Sequence, residues 1–174
     1  ARTWARTGVP HVRQYVDERR DRTALVVLVD GDQASERSKE AALSVAAGVA
    51  ARLAHHEGGL DRLGVDARVF DVVPRTGTRA LDAVLDRLAV HVLSDAPSPA
   101  SAAFGEALAG VTSLVLVTAG FSDRAAAVFE AARARGLPMR AVAVVDPLHD
   151  DAAAPSEVKV CTCDELDTGR RLSL

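Results

Sequence analysis

A run of apolar residues from Ala24 to Val29 stops abruptly at Asp30-Gly31-Asp32, and a helix-forming stretch opens near Ser35. An unbroken Val/Leu run of this length reads as a strand buried on both faces, as in a parallel sheet covered by two layers of helix. In open α/β sheets, ligands sit in the crevice outside the carboxyl ends of such strands. Two carboxylates at that point suit a hard cation, which takes oxygen ligands. The turn after this strand is therefore the first place to look for function.

The rest of the chain repeats the alternation of strand and helix. Ser35 to His56 reads as a helix, with Ala42, Val45, Ala46, Val49 and Leu53 forming one apolar stripe. Gly58 and Gly59 end it. Val65 to Val72 alternates and reads as a strand with Val69 and Phe70 on opposite faces. Pro74 to Gly77 is a loop, and Arg79 to Val92 a second helix with Leu81, Val84, Leu85 and Leu88 inward. After a Pro-containing loop, Ser94 to Ser101, come a short helix (Ala102 to Leu108) and a buried strand (Val111 to Thr118). Ser122 caps a helix from Asp123 to Arg135. Met139 to Val145 is the next buried strand, Asp146-Pro147 ends it, and His149 to Ser156 is a polar loop. Val158 to Cys163 is the last strand, followed by a helical turn, and Val12 to Val16 reads as a short strand near the start. This order predicts a single α/β domain over residues 1–174, a three-layer sandwich with a mostly parallel central sheet and helices on both faces.

Composition narrows the functional classes. With 174 residues, 48% hydrophobic, the chain can bury one sizeable core. A net charge of -3 and 3% aromatics argue against a basic nucleic-acid surface with base-stacking platforms. No apolar run approaches the length of a membrane span, so membrane attachment is expected only through segments outside this chain. Cys161 and Cys163 are too closely spaced for an ordinary disulfide and read as strand cysteines of a reducing compartment, with both thiols on the face opposite Val158, Val160 and Thr162. The segment after Asp30 has neither G-x-G-x-x-G nor a P-loop lysine, so no phosphate cradle is present. Ser101 and Ser122 lack a nucleophile elbow. His55-His56 suits a helix C-terminus, His149 with Asp150 and Asp151 a solvated loop, and Arg75 and Arg79 either solvated charges or a seat for an acidic partner.

Three segments carry a family resemblance. Val12-Arg13-Gln14-Tyr15-Val16-Asp17-Glu18-Arg19-Arg20-Asp21-Arg22-Thr23 runs directly into the strand that ends at Asp30, and Trp4-Ala5-Arg6-Thr7-Gly8 precedes it. Together with Pro74-Arg75-Thr76-Gly77-Thr78 before a Leu-rich helix, these resemble the bacterial DUF58 family of von Willebrand factor A-like domains. The resemblance covers most of the chain and is densest in its N-terminal third. It implies a non-enzymatic protein-interaction domain that works with a MoxR-type AAA+ ATPase in assembling or maturing other proteins. It also implies a cytoplasmic domain of a protein anchored through membrane helices outside this chain.

Von Willebrand factor A domains hold Mg²⁺ at a metal-ion-dependent adhesion site, with an open position for a partner's carboxylate. Carried over, the first loop aspartate is Asp30, the first serine position is Asp32 and the second is Ala34, which has no ligand oxygen. The threonine is Thr76 or Thr78, and the third-loop aspartate falls at Ala119. The expected site is therefore degenerate: no dedicated cofactor, and at most weak Mg²⁺ at Asp30, Asp32 and Thr78. Asp30 and Asp32 serve equally well as charges favouring the dipole of the following helix. The expected contact face for a partner is the rim around Asp30, Asp32, Thr76 and Thr78. The alternative is a small Rossmann-like enzyme or ligand-binding domain using the same strand-end crevice.

Overall fold

The computed structural model describes residues 21–29, 34–56, 58–66, 68–91, 108–149 and 154–169. Among these residues, six strands form one sheet in the order β3-β2-β1-β4-β5-β6. They are β1 (Thr23–Leu28), β2 (Leu60–Val65), β3 (Arg68–Asp71), β4 (Ser113–Ala119), β5 (Met139–Val145) and β6 (Val158–Thr162). All neighbours run parallel except β2 and β3, which are antiparallel. The chain winds outward in both directions from the β1/β4 pair, which makes that pair the switch point of the sheet. Among the described residues, four helices accompany it: α1 (Glu36–Ala54), α2 (Thr78–His91), α3 (Asp123–Ala134) and α4 (Cys163–Asp167). The expected α/β sandwich is the fold observed. None of these helices is long and apolar enough to cross a membrane.

The apolar run Ala24–Val29 is buried throughout because successive side chains enter different cores. Leu25, Val27 and Val29 join α1 and α2 on one face. Ala24, Val26 and Leu28 join α3 on the other. The same division holds in β4, where Val115 and Val117 face α1 and Leu114 and Leu116 face α3. α1 presents Ala42, Val45, Ala46, Val49 and Ala50 to the sheet, so its small side chains bring the helix close. α2 buries Ala80, Val84 and Leu88, a clean four-residue repeat; Leu85, expected inward, is exposed. Cys161 and Cys163 are not disulfide-bonded and both pack on the α1 face, while Val158 packs on the other.

One stretch differs from the sequence-based expectation. Val65 to Val72 is not a single strand. It is the turn and second arm of a hairpin whose first arm, Leu60–Val65, has the unpromising sequence Leu-Asp-Arg-Leu-Gly-Val. Asp66 makes the reversal: its backbone takes φ 47, a left-handed conformation that aspartate tolerates better than most residues. The hairpin sends the chain back, so residues 72–77 lie at the amino edge of the sheet, where β1, β2 and β4 begin. The expected strand at Val12–Val16, the loop over Ser94–Ser101 and the short helix, apart from Leu108 in a turn, lie outside the described residues.

The returning loop is clamped under α1. Leu60 N donates to Arg75 O at 2.9 Å, and Gly77 N donates to Ala54 O at 2.9 Å. Gly59, at φ +65, lies against it: a Cβ there would stand 2.5 Å from Arg75 O and 2.7 Å from Thr76 Cγ2. Left-handed strain and overlap with backbone act together, so Gly59→Ala should cost roughly 2 kcal/mol or more. Urea unfolding checks this; an unchanged midpoint would show that the loop is not clamped there.

Candidate functional site

The carboxyl edge at the switch point is built from the ends of β1, β4 and β5 and the first turn of α1. β1 is held at its end by Asp66. Val29 N donates to Asp66 Oδ1 at 2.8 Å, and Asp66 N donates to Val27 O at 2.8 Å. Asp66 is 4% exposed, so this carboxylate is a buried bracket that fixes the chain just before Asp30. At the end of β4, Gly120 N donates to Val144 O at 2.7 Å and the buried Thr118 hydroxyl donates to Gly120 O at 2.8 Å.

At the centre stands Asp146, which follows β5 and is 3% exposed. Leu148 N donates to its Oδ1 at 3.2 Å, the Ser35 hydroxyl to its Oδ2 at 3.1 Å, and His149 Nδ1 lies 3.2 Å from the same Oδ2. The turn closes with His149 N donating to Asp146 O at 3.0 Å. An aspartate followed by proline is the expected sequence for such a turn, because the carboxylate caps its own backbone and proline presets the next φ. Ser35 is also the N-cap of α1 and accepts from Ser38 N at 3.1 Å, so one hydroxyl joins a helix start to a strand end 111 residues away. The Asp146 carboxyl is held below its ordinary value, chiefly by the Leu148 N–H and further by Ser35 and His149, against the opposing effect of burial.

Asp30 and Asp32 lie outside the described residues. Thr76 and Thr78 lie at the amino edge, beside Gly59 and the last turn of α1, not with the strand ends. Val29, after the end of β1, is at the carboxyl edge. The six residues of β1 separate the two edges by about 20 Å. Thr76 and Thr78 therefore stand at the opposite edge from Val29. Ala34 packs against the core, and Ala119 is a buried core residue. Asp123 is the first residue of α3, after its N-cap Ser122. The described positions thus do not supply the ligand set of a metal-ion-dependent adhesion site. Among the described residues, no group of three or more His, Cys, Asp or Glu side chains is placed to hold a metal ion.

Sequence reading passed over Asp146, Ser35 and Leu148 as site residues. The Asp-Pro pair after a buried strand was the available signal. Beside this centre, Arg37 of α1 pairs with Asp164 at 2.8 Å and with Asp167, tying α4 to the same rim. α4 is itself closed by a capping box between Thr162 and Glu165. Leu148 is 80% exposed and projects from the turn.

No family model, curated protein or solved structure matches this chain.

Because the folded Asp146 carboxyl ionises below its ordinary value of 3.8, it stabilises the fold above that pH. The contribution is lost as pH falls below 3.8 through the lower folded value. Asp146→Asn should lower Tm at neutral pH, since its amide brings donors to a site already full of donors. It should also flatten the acid limb of the Tm–pH curve. Thermal melts across the acid range measure this, and parallel acid limbs would contradict the assigned hydrogen bonds.

Proposed function

We propose that this chain is a protein-interaction domain of the DUF58, von Willebrand factor A-like type, which docks a MoxR-type AAA+ ATPase in the assembly or maturation of other proteins. The observation that carries the reading is the Asp146 turn. Its carboxylate is sealed in the fold by three donors, while Leu148 and His149 are held outward beside the start of α1. A rigid turn presenting Pro147, Leu148 and an imidazole is a contact element whose shape is fixed before binding, which lowers the entropy cost of association. The sequence resemblance in the N-terminal third supports the family, and the α/β sheet with its carboxyl edge at a switch point is the frame such a reading requires.

The chemistry of the turn favours binding over acyl transfer. In a hydrolase triad the serine hydroxyl gives its proton to imidazole. Here the Ser35 hydroxyl and His149 Nδ1 both engage the same oxygen of Asp146, so serine and imidazole are not linked. On this reading the domain works in the cytoplasm, binds through protein contacts at the carboxyl edge and needs no metal bridge.

Binding of the chain to a purified MoxR-type ATPase, followed by biolayer interferometry, tests the proposal. Leu148→Glu and His149→Ala should weaken binding about tenfold or more, a loss of about 1.4 kcal/mol. Thr76→Ala, at the opposite edge, should change it less than about twofold. Excess EDTA should leave binding intact. No binding at about 0.1 mM ATPase, or equal sensitivity to Thr76→Ala, would sink the reading.

A further inference from the structure

The Asp146 turn is held by contacts of two kinds. Within the turn, Leu148 N donates to Oδ1 at 3.2 Å, His149 N donates to Asp146 O at 3.0 Å, and His149 Nδ1 lies 3.2 Å from Oδ2. Contacts spanning two or three residues fix the shape of a turn, not its orientation on the sheet. Another contact comes from a different element: the Ser35 hydroxyl reaches Oδ2 at 3.1 Å from the start of α1. The His149 ring is 64% exposed, so water competes for its hold on that oxygen, whereas Ser35 is half-buried.

Ser35 is itself fixed as a donor. Its Oγ accepts from Ser38 N at 3.1 Å, and the fully buried Ser38 hydroxyl donates to Ser35 O at 2.9 Å. The Ser35 proton then has two acceptors within reach, Asp146 Oδ2 at 3.1 Å and Ser38 Oγ at 3.3 Å. The carboxylate is nearer and charged, and a charged acceptor makes the stronger bond, so the proton goes to Asp146. The first turn of α1 thus delivers a donor at a set place, and the Asp146 carboxylate is drawn to it.

We propose that Ser35 is the positioning residue of the docking rim: its bond to Asp146, not its capping of α1, sets how Leu148 and His149 are presented. The functional meaning rests on the docking reading above, while the physical claim concerns the free chain alone. Capping needs an acceptor oxygen at residue 35, whereas positioning needs a donor there. Substitutions therefore separate the two roles. Threonine keeps both. Aspartate keeps the capping oxygen but sets a second carboxylate against Asp146, and like charges repel. Glycine is a tolerated cap that offers no side-chain donor.

Amide exchange of the free chain, read by NMR, tests this with the Leu148 and His149 amides as one set and the Ser38 and Lys39 amides of α1 as the other. Ser35→Asp should speed exchange of the turn amides about tenfold and leave the helix amides within about twofold. Ser35→Gly should speed the turn amides about threefold or more; it adds no charge and keeps the test open should the aspartate variant not fold. Ser35→Thr should match the parent chain in both sets. Unchanged turn amides in the aspartate and glycine variants, equal acceleration of both sets, or no rescue by threonine overturns the proposal. Ser35→Asp should also weaken binding to a purified MoxR-type ATPase about tenfold, and binding indifferent to it overturns the proposal as well. If the parent chain itself does not bind while the exchange pattern holds, the docking reading fails and the positioning of the turn by Ser35 stands.

Discussion

Two-sided burial of β1 is the constraint on which the rest depends. Leu25 and Val27 are fully sequestered under α1 and α2, while Ala24, Val26 and Leu28 are sequestered toward α3. A strand with no solvent face cannot be an edge, so it requires a hydrogen-bonded neighbour on each side and a helical layer above and below. β2 and β4 supply the neighbours, both parallel to β1. Parallel neighbours require crossovers, and crossovers in opposite directions from β1 leave a crevice at its carboxyl end. Position of the site thus follows from burial before any ligand is considered. Truncating a side chain such as Leu25 to alanine would remove about 2–5 kcal/mol from this frame.

Two buried carboxylates then give that edge its form. Asp66 closes the end of β1 through Val29 N, and Asp146 closes the end of β5 while capturing Ser35. Neither is a free acid group awaiting a ligand: each spends its acceptors on backbone or side-chain donors of the fold. What they leave outside is the geometry of the turn itself, with Leu148 and His149 on the rim. At the other edge the logic is reversed. There, Asp61 and Asp71 pair with the cations Arg75 and Arg62 rather than with neutral donors, and Val73 stands exposed.

Much of the fold was legible in the sequence. Strong patterns sufficed for the β1 run, for α1 with its alanine-valine stripe, for the Ser122 cap of α3 and for β5, whose limits Met139 and Val145 coincide with the reading. The β2–β3 hairpin was not legible. Asp61, Arg62 and Gly64 disguise the first arm, and Asp66 turns the chain without an Asn-Gly or Asp-Gly signal. That omission had a functional consequence. A single strand over Val65–Val72 would deliver Thr76 and Thr78 to the carboxyl edge; the added strand returns them to the amino edge. The Ser35–Asp146 link was hidden for a different reason, since a contact spanning 111 residues leaves no local trace.

On the proposed reading the carboxyl edge at the Asp146 turn meets the partner, and the amino edge, where residues 72–77 lie, does not. Hydrogen–deuterium exchange of the chain, alone and with a MoxR-type ATPase, addresses its central claim most directly. The account predicts slowed exchange over Asp146–His149 and the first turn of α1, with residues 73–79 unchanged. Protection confined to residues 73–79, or no protection at the Asp146 turn in a formed complex, would contradict it.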